Sequence, residues 1–323
     1  MSRWISCVVW LLFLAQCSSG AAPPVRRVSE QRHPLGESGA PRLDRVSFDD
    51  GGEPRWIDSA VHQVATGACD TQPPQRSANG SPLYPRRTLM LDPRVDERRC
   101  PRPGGAGTDT SLLGLDGNGA LTWQRVLTFV SGERKLDQWL LGATPEGLVL
   151  SSLEVWSPAD GATRVPARTH PVGPEARPVP DHQLTGAAIY HPQRGEILFF
   201  TAEVSLLRRE GGLYRFDPKT GAQELLRPVA AGLLGTHENV ESMALAPGGR
   251  LLLLARRSTV RDASPVSFAV FDLDLKRYVF EQRHGTGHAC SEPHVTVGPK
   301  GKVAFSYRDE TDRRQVVVSY ALQ

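Results

Sequence analysis

Four short apolar runs, each followed by a turn, occupy the stretch Ser242–Gln282. Their sequences are SMALA, RLLLLARR, SFAVFDL and KRYVFEQ, and a Pro-Gly-Gly turn joins the first two. Runs this short with turns this close predict an antiparallel sheet of four strands, because parallel strands need longer connections. One such sheet cannot bury both of its faces alone, so further copies are expected to stack against it.

The same pattern recurs along the chain from Ser111 onward. Each copy has a short strand, a turn that contains glycine, and a second, more apolar strand. The copies are SLLGLDGNGALTW, WLLGATPEGLVLSS, AAIYHPQRGEILFF, MALAPGGRLLLLA and HVTVGPKGKVAFS. Third and fourth strands are predicted at Leu213–Leu226 and at Phe268–Phe280. The predicted fold class is therefore all-β, a β-propeller of about five to seven four-stranded blades.

The last copy is one strand short of a full blade, because only VVVSYALQ follows GKVAFS. Propellers protect their sheet edges when an N-terminal strand completes the last blade. We therefore expect the last blade to be closed by an N-terminal strand, with Leu43–Phe48 or Trp56–Val64 pairing beside Val316–Leu322.

The turns between the first and second strands resemble the recurrent "sPdGk" turn of extracytoplasmic β-propellers of the TolB-like and YVTN-like superfamily. The matching sequences are APGGR at Ala246–Arg250, GPKGK at Gly298–Lys302 and, more loosely, HPQRGE at His191–Glu196. The resemblance covers the chain from Ser111 onward and implies the propeller fold. It implies no single activity, since propellers host many unrelated functions.

Residues 1–20 are predicted to be a signal peptide. Arg3 precedes Trp4–Ala15, an uncharged, mostly apolar run that is too short to span a bilayer, and small residues follow it. Residues 14–17, Leu-Ala-Gln-Cys, resemble the bacterial lipobox, although Gln16 stands where a small residue is usual. The protein is therefore expected to be exported, either as an outer-membrane or periplasmic lipoprotein anchored through Cys17 or as a freely secreted or periplasmic protein.

The rest of the chain divides into a tether and the propeller. Residues 21–42 are rich in Pro, Arg, Ser and Gly, which is typical of a flexible tether, and the propeller is expected at 43–323. Within it, the Pro/Gly-rich segment 69–107 is predicted to be irregular, and it could be a disulfide-pinned loop that carries one strand. Because export favours disulfides, Cys69 and Cys100 are the expected pair, and Cys100–Cys290 is the alternative.

The charge balance bears on the partners. A formal net charge of +3, from 38 basic and 35 acidic residues, is close to neutral. No run of Lys and Arg is interleaved with aromatic residues, which argues against nucleic acid as a partner. The expected partners are a glycan, a small molecule or an envelope protein, with membrane contact only through the N-terminal lipid.

Three histidines occupy nearly the same position relative to the turn prolines. His182 and His237 lie ten residues before Pro192 and Pro247, and His288 lies eleven residues before Pro299. In a propeller these positions precede the innermost strands, so their side chains should converge at one mouth of the channel. The predicted ligand-binding rim consists of Asp181, His182, His237, Glu241, His288, Glu292 and His294.

Three interpretations of this ring stay open at the level of sequence. His182, His237 and His288 with a carboxylate could hold a divalent metal ion, since imidazole and carboxylate are common ligands. The rim could instead bind a polar ligand without catalysis, or its side chains could simply bond neighbouring blades.

Two functions follow from these interpretations. The first is an exported, lipid-anchored or free, ligand- or protein-binding module at the cell envelope. The alternative is a metal-assisted polysaccharide lyase or another carbohydrate-active enzyme, as in some exported propellers, with Tyr190 or Arg308 assisting the histidines. The chain contains no nucleophile elbow, phosphate-binding loop or haem motif, and its sequence identifies no catalytic residue.

Overall fold

A computed structural model of the chain describes residues 24–35, 43–48, 54–58, 65–66, 92, 94–101, 108–131, 134–170, 179–180, 187–201, 211–228, 237–259 and 264–323. These residues form strands and turns, with one short 3₁₀ turn at Pro299–Gly301. The all-β class predicted from the sequence is confirmed, and the sheets have a propeller-like arrangement of blades.

Five four-stranded sheets follow one another along the described chain, with strands numbered in chain order. Sheet 1 contains β4 (Ala65–Thr66), β5 (Val95–Pro101), β6 (Thr108–Leu115) and β7 (Leu121–Val126). Sheet 2 contains β10 (Leu140–Thr144), β11 (Gly147–Leu150), β12 (Val155–Trp156) and β13 (Thr163–Val165). Sheet 3 contains β16 (Ala188–His191), β17 (Glu196–Thr201), β18 (Gly212–Phe216) and β19 (Gln223–Pro228).

Sheets 4 and 5 complete the series. Sheet 4 contains β20 (His237–Leu245), β21 (Leu251–Thr259), β22 (Val266–Asp272) and β23 (Arg277–His284). Sheet 5 contains β24 (Cys290–Val297), β25 (Lys302–Asp309), β26 (Arg314–Leu322) and, at its outer edge, β1 (Val25–Pro34). Strands that are neighbours in these sheets are antiparallel, except that β4 and β5 are parallel.

Three two-stranded sheets complete the described structure. They pair β2 (Leu43–Phe48) with β3 (Pro54–Asp58), β8 (Thr128–Ser131) with β9 (Arg134–Asp137), and β14 (Thr169–His170) with β15 (Val179–Pro180).

The apolar strands of sheet 4 are buried on both faces, which explains why they do not alternate with polar residues. In β21, Leu252 and Leu254 pack with residues of sheet 3, whereas Leu253 and Ala255 pack with residues of sheet 5. Side chains alternate between the two faces of a strand, so each face of sheet 4 contacts a different neighbouring sheet. The expectation that copies of this sheet stack is confirmed.

The same face-to-face packing joins each consecutive pair of sheets. Between sheets 4 and 5, Phe268 lies against Phe305 and Tyr320, with ring centroids 5.8 and 4.5 Å apart. Between sheets 2 and 3, Val149 and Phe199 belong to one buried cluster. Burying these rings and aliphatic side chains is the main stabilising term that the sheets share.

Aspartates cap the turns between the third and fourth strands. The Asp217 carboxylate accepts hydrogen bonds from the Lys219 backbone N–H at 2.8 Å and the Thr220 hydroxyl at 2.7 Å. Asp272 caps the equivalent turn in sheet 4 and also accepts from the Arg250 guanidinium at 2.7 Å. Burial raises the pKa of Asp272, but Arg250 and the backbone N–H groups outweigh it and hold that pKa below its usual value.

The turn between β20 and β21 contacts the equivalent turn of sheet 3. The buried His191 ring places Nε2 2.9 Å from the Gly249 carbonyl oxygen. Gly249 has a φ of +75°, and a Cβ there would lie 2.7 Å from Cε1 of His191. The second glycine of the Pro-Gly-Gly turn is therefore required both by its backbone conformation and by the neighbouring blade.

Two sequence expectations about the N-terminal region are wrong. Leu43–Phe48 does not pair with the last strand: β2 pairs with β3, and Phe48 packs on Ala304 and Val317 of sheet 5. Of Trp56–Val64, only residues 56–58 are described, and they lie in β3. Closure of the whole ring by an N-terminal strand stays a prediction.

The strand that pairs with β26 comes from the segment that was expected to be a flexible tether. Val25–Pro34 runs antiparallel to Arg314–Leu322 along its whole length, with one irregularity between Arg27 and Ser29. Only Val25 is buried in this strand. Composition could not reveal it, because an edge strand can be held by backbone hydrogen bonds with little apolar burial.

The copy SLLGLDGNGALTW was expected to supply the first two strands of a blade, but it forms β6 and β7, the third and fourth strands of sheet 1. Its turn at Asp116 therefore corresponds to those at Asp217 and Asp272. The half-exposed alternation of β7 is the signature of an outer strand, whereas β11, β17 and β21 are apolar and buried.

We predict that Gly249→Ala destabilises the protein more than Gly248→Ala. Both glycines have positive φ, so both variants carry the cost of a left-handed alanine, about 1–2 kcal/mol. Only the methyl group at position 249 meets His191, whereas position 248 has open space. Urea denaturation should show the lower free energy of unfolding for Gly249→Ala, and equal values would contradict the contact.

We predict that a chain starting at residue 36 is less stable than one starting at residue 24. Removing β1 leaves the N–H and C=O groups of β26 exposed along a sheet edge, at about 1 kcal/mol for each hydrogen bond lost. The shorter chain should unfold at lower urea concentration and aggregate through β26. Identical unfolding midpoints would show that β1 does not stabilise sheet 5.

Candidate functional site

The two ends of the sheets carry different kinds of connection. The turns at Pro192, Pro247 and Pro299 lie at one end, which we call the turn end. The first strands begin at the opposite end, marked by His237 and Cys290, which we call the rim end. Because neighbouring strands are antiparallel, the second strands finish at the rim end as well.

Part of the predicted histidine ring lies outside the described residues. Asp181 and His182 are not described, and His237 is described only as the first residue of β20, without its side chain. Convergence of His182, His237 and His288 on a metal ion therefore stays a prediction. Glu241, His288, Glu292 and His294 are described. His288 and Glu292 lie toward the rim end of sheet 5, whereas Glu241 and His294 lie near the middle of the first strands of sheets 4 and 5.

His294 connects the first strands of neighbouring blades. Its Nδ1 lies 2.9 Å from the Ser242 hydroxyl of β20, and the same oxygen accepts a hydrogen bond from the Val295 backbone N–H at 3.2 Å. Ser242 is buried, so these bonds satisfy a polar group between sheets 4 and 5. The Nδ1 of His294 is thus engaged in blade-to-blade packing.

His288 lies beside two carboxylates of the turn between β25 and β26. Its Nδ1 is 2.8 Å from Oδ2 of the buried Asp309, whose Oδ1 accepts from the Asp312 backbone N–H at 3.1 Å. Burial raises the pKa of Asp309, but these hydrogen bonds and the His288 ring outweigh it and lower that pKa.

His288, Asp309 and Asp312 offer ligand atoms within 4.8 Å of one another. A nitrogen and two carboxylate oxygens could hold a divalent cation. However, Asp309 accepts backbone hydrogen bonds in the turn between β25 and β26, much as Asp272 does in the turn between β22 and β23. His288 contacts the Asp309 carboxylate as Arg250 contacts the Asp272 carboxylate. The cluster therefore also has a purely structural explanation.

Sheet 4 and sheet 5 each contain one Glu–Arg ion pair at an equivalent position, and we call these two ion pairs the rim pairs. In sheet 4, Nε of Arg257 lies 2.8 Å from the Glu241 carboxylate. In sheet 5, Nη1 of Arg308 lies 3.5 Å from the Glu292 carboxylate. Each glutamate sits at an irregularity of the first strand, and Glu292 has a φ of +52°.

The rim pairs are half-buried rather than fully exposed. The side-chain exposures are 39% for Arg257 and 19% for Glu241, and 20% for Arg308 and 37% for Glu292. Ion pairs in such positions are screened less by salt than surface pairs, and guanidinium groups have further N–H donors for a ligand.

Arg257 was missed by the sequence analysis, which named Arg308 only as a helper of the histidines. A signal existed, because Arg257 stands six positions after Leu251 and Arg308 six after Lys302, the first residues of their second strands. Tyr190, the other suggested helper, lies at the turn end next to His191 and packs in the core between sheets 2 and 3. This position is wrong for a role at the rim, and burial there also raises the pKa of Tyr190.

Two further groups of the stretch His284–His294 belong to the core. The buried His284 places Nε2 2.9 Å from the Tyr320 hydroxyl, and the Phe305 ring lies 5.2 Å away. Burial lowers the pKa of His284 to about 4 and raises the pKa of the Cys290 thiol to about 12. At neutral pH His284 is therefore uncharged and Cys290 is protonated, which suits packing rather than nucleophilic chemistry.

The cysteine prediction is resolved in part. Cys100 is buried in β5 and disulfide-bonded, and its partner lies outside the described residues. Cys290 is a free buried thiol, so the alternative pair Cys100–Cys290 is wrong. Pairing of Cys100 with Cys69, like lipidation of Cys17, stays a prediction.

Comparisons with known proteins are sparse. No family model matches the sequence, and no curated protein matches it. The chain is similar to a crystal structure of the extracellular domain of the one-component system BT4673 from B. thetaiotaomicron, with a TM-score of 0.33 and 13% identity. The similarity covers 71% of this chain and 32% of that chain, so this chain spans about a third of its length. A likeness this distant carries no argument about the site.

In the part of the chain that the structure describes, no helix is long and apolar enough to cross a bilayer.

We predict that protonation of His284 contributes to acid destabilisation. The folded pKa of about 4 lies below the ordinary 6.5, so the unfolded chain binds an extra proton between these values. The stabilisation is complete above pH 6.5 and is lost as the pH falls toward 4, by roughly 3 kcal/mol. His284→Phe should flatten the dependence of unfolding free energy on pH in this window, measured by urea denaturation. An unchanged slope would contradict the assignment.

Proposed function

We propose that this protein is an exported binding module of the cell envelope, free or anchored through a lipid on Cys17. Its rim end binds a glycan, a small molecule or a loop of an envelope protein. The observation that carries the proposal is the repeated rim pair, Glu241–Arg257 and Glu292–Arg308, at equivalent positions of two neighbouring blades. Such repetition places donors and acceptors side by side across the junction of the blades.

The chemistry of the described groups near the rim supports binding rather than covalent catalysis. The Cys290 thiol is buried, and its pKa is raised to about 12 by that burial. Burial likewise raises the pKa of Tyr307, and His288 is bonded to Asp309. In contrast, the Arg257 guanidinium contacts a carboxylate through Nε, and its side chain remains 39% exposed for a ligand.

The half-buried position of the rim pairs suits specific recognition. A ligand that covers them would exclude water, which strengthens hydrogen bonds to the guanidinium and carboxylate groups. A ligand lacking matching polar groups would leave these charges desolvated and unpaired, at a cost in free energy. The rim should therefore prefer polar ligands with both donors and acceptors, as glycans and peptide loops have.

We predict that a ligand of the rim fails to stabilise the double variant Arg257→Gln/Arg308→Gln. Thermal-shift titrations of the exported chain with neutral and anionic oligosaccharides and with short peptides measure this, because a ligand of the folded state raises the melting temperature. Loss of two charged donors should weaken binding at least tenfold, about 1.4 kcal/mol.

The matched control for this experiment is Arg283→Gln on the outer strand β23, where the side chain is 77% exposed. It should bind every active ligand as the unaltered protein does. A ligand that stabilises the rim variant as much as the control would show that the rim pairs are not the binding site.

A metal-assisted polysaccharide lyase is the second candidate, favoured by the approach of His288, Asp309 and Asp312 to within 4.8 Å. His288 and the carboxylates could hold a cation, which would acidify the proton beside a uronate carboxylate. Elemental analysis of the exported chain, beside His237→Ala and His288→Ala variants, separates the candidates. The binding proposal predicts no stoichiometric metal, whereas near-stoichiometric metal lost in both variants would favour the lyase.

A further inference from the structure

The N-terminal strand enters the folded structure at the turn end. Val25 pairs with Leu322, and the Gln323 backbone N–H donates to the Pro24 carbonyl oxygen at 3.0 Å. Gly301, in the turn between β24 and β25, lies close to Leu322. Pro24, the first described residue, therefore lies at the turn end, the end of sheet 5 that also carries the Pro299–Gly301 turn.

The distance to the expected lipid site is short. Seven residues lie between Cys17 and Val25, and the eight Cα–Cα steps from one to the other span at most about 28 Å, at roughly 3.5 Å per step. β1 has ten residues and is itself about 33 Å long, at about 3.3 Å per residue. Cys17 would therefore fall short of the rim end even with a fully extended connection along β1. A membrane holding Cys17 therefore lies most easily at the turn end.

The turn end of sheets 4 and 5 carries exposed basic residues without acidic partners. Arg26, Arg277 and Lys300 are exposed, and no carboxylate pairs with them in the described ranges. The acidic residues nearby are engaged, Asp272 by Arg250 and Asp274 by Arg194. Leu275 adds an apolar side chain that is 49% exposed.

We infer that the turn end of sheets 4 and 5 is a membrane-facing surface that binds anionic lipid headgroups through Arg26, Arg277 and Lys300. Basic residues next to a lipid anchor add a salt-sensitive attraction to an anionic bilayer. Membrane attachment through a lipid anchor is more stable when such a basic surface acts as a second point of contact. The rim end then points away from the membrane, toward ligands. This orientation rests on the proposed export and on the rim being the binding face.

The test uses the exported chain with Cys17→Ser, so that lipid insertion does not mask the weaker contact. Co-sedimentation with vesicles of phosphatidylcholine and with vesicles containing 30% phosphatidylglycerol measures binding at low and high salt. We expect salt-sensitive binding to the anionic vesicles alone. The triple variant Arg26→Gln/Arg277→Gln/Lys300→Gln should bind them at least tenfold more weakly.

The matched control removes three exposed arginines toward the rim end, in the variant Arg168→Gln/Arg283→Gln/Arg314→Gln. It has the same net charge as the first variant and should bind anionic vesicles as the Cys17→Ser chain does. Equal loss in the two triple variants would show a non-specific charge effect and overturn the inference. Failure to bind anionic vesicles would also overturn it.

Orientation is measured separately with a fluorophore at Pro299→Cys or Thr311→Cys on the membrane-bound chain, which leaves Arg26, Arg277 and Lys300 in place. A quencher attached to lipid headgroups should quench the label at position 299 and spare the label at position 311. The opposite pattern would overturn the orientation. These readouts do not involve the rim pairs, so they can fail while ligand binding at Arg257 and Arg308 holds, or the reverse.

Discussion

The structure depends on strands that are buried on both faces. In β21 the consecutive residues Leu252, Leu253 and Leu254 point alternately at sheets 3 and 5, and all are fully buried. A sheet built from such strands is stable only between two neighbours, because a missing neighbour would expose a row of Leu, Val and Phe. Stacking therefore fixes the order of the sheets, and it forces polar residues to the two ends, where the rim pairs and the turns lie.

The polar strand β1 shows the second constraint, which is the satisfaction of a sheet edge. Val25–Pro34 adds a fourth strand to the last sheet through backbone pairing with Arg314–Leu322. It brings the two ends of the described chain together and places Pro24, the first described residue, at the turn end. Because of this pairing, the turn end lies near the expected lipid anchor, and the rim end, the proposed ligand-binding face, lies at the opposite end of sheet 5.

The sequence predicted sheets 3 to 5 closely because their turns carry specific signals, such as the glycines of Ala246–Arg250, and their second strands are continuously apolar. It failed for β1, whose ten residues include one buried side chain, so composition resembled a tether. The ligand-binding rim that histidine spacing suggested stays a prediction, and that spacing did not indicate the pairing of Arg257 with Glu241, which depends on a register irregularity near Glu241. Strand register and bulges are set by tertiary contacts and leave little trace in composition.

Hydrogen exchange of the β1 amides tests the account most directly, because the pairing of this polar segment with β26 sets the edge of the last sheet and the direction of the anchor. The amides of Val25–Pro34 that face β26 should exchange slowly and together with those of Arg314–Leu322, as one cooperative unit. Exchange of Val25–Pro34 at the rate of an unstructured peptide, with Arg314–Leu322 still protected, would contradict the pairing and the orientation that follows from it.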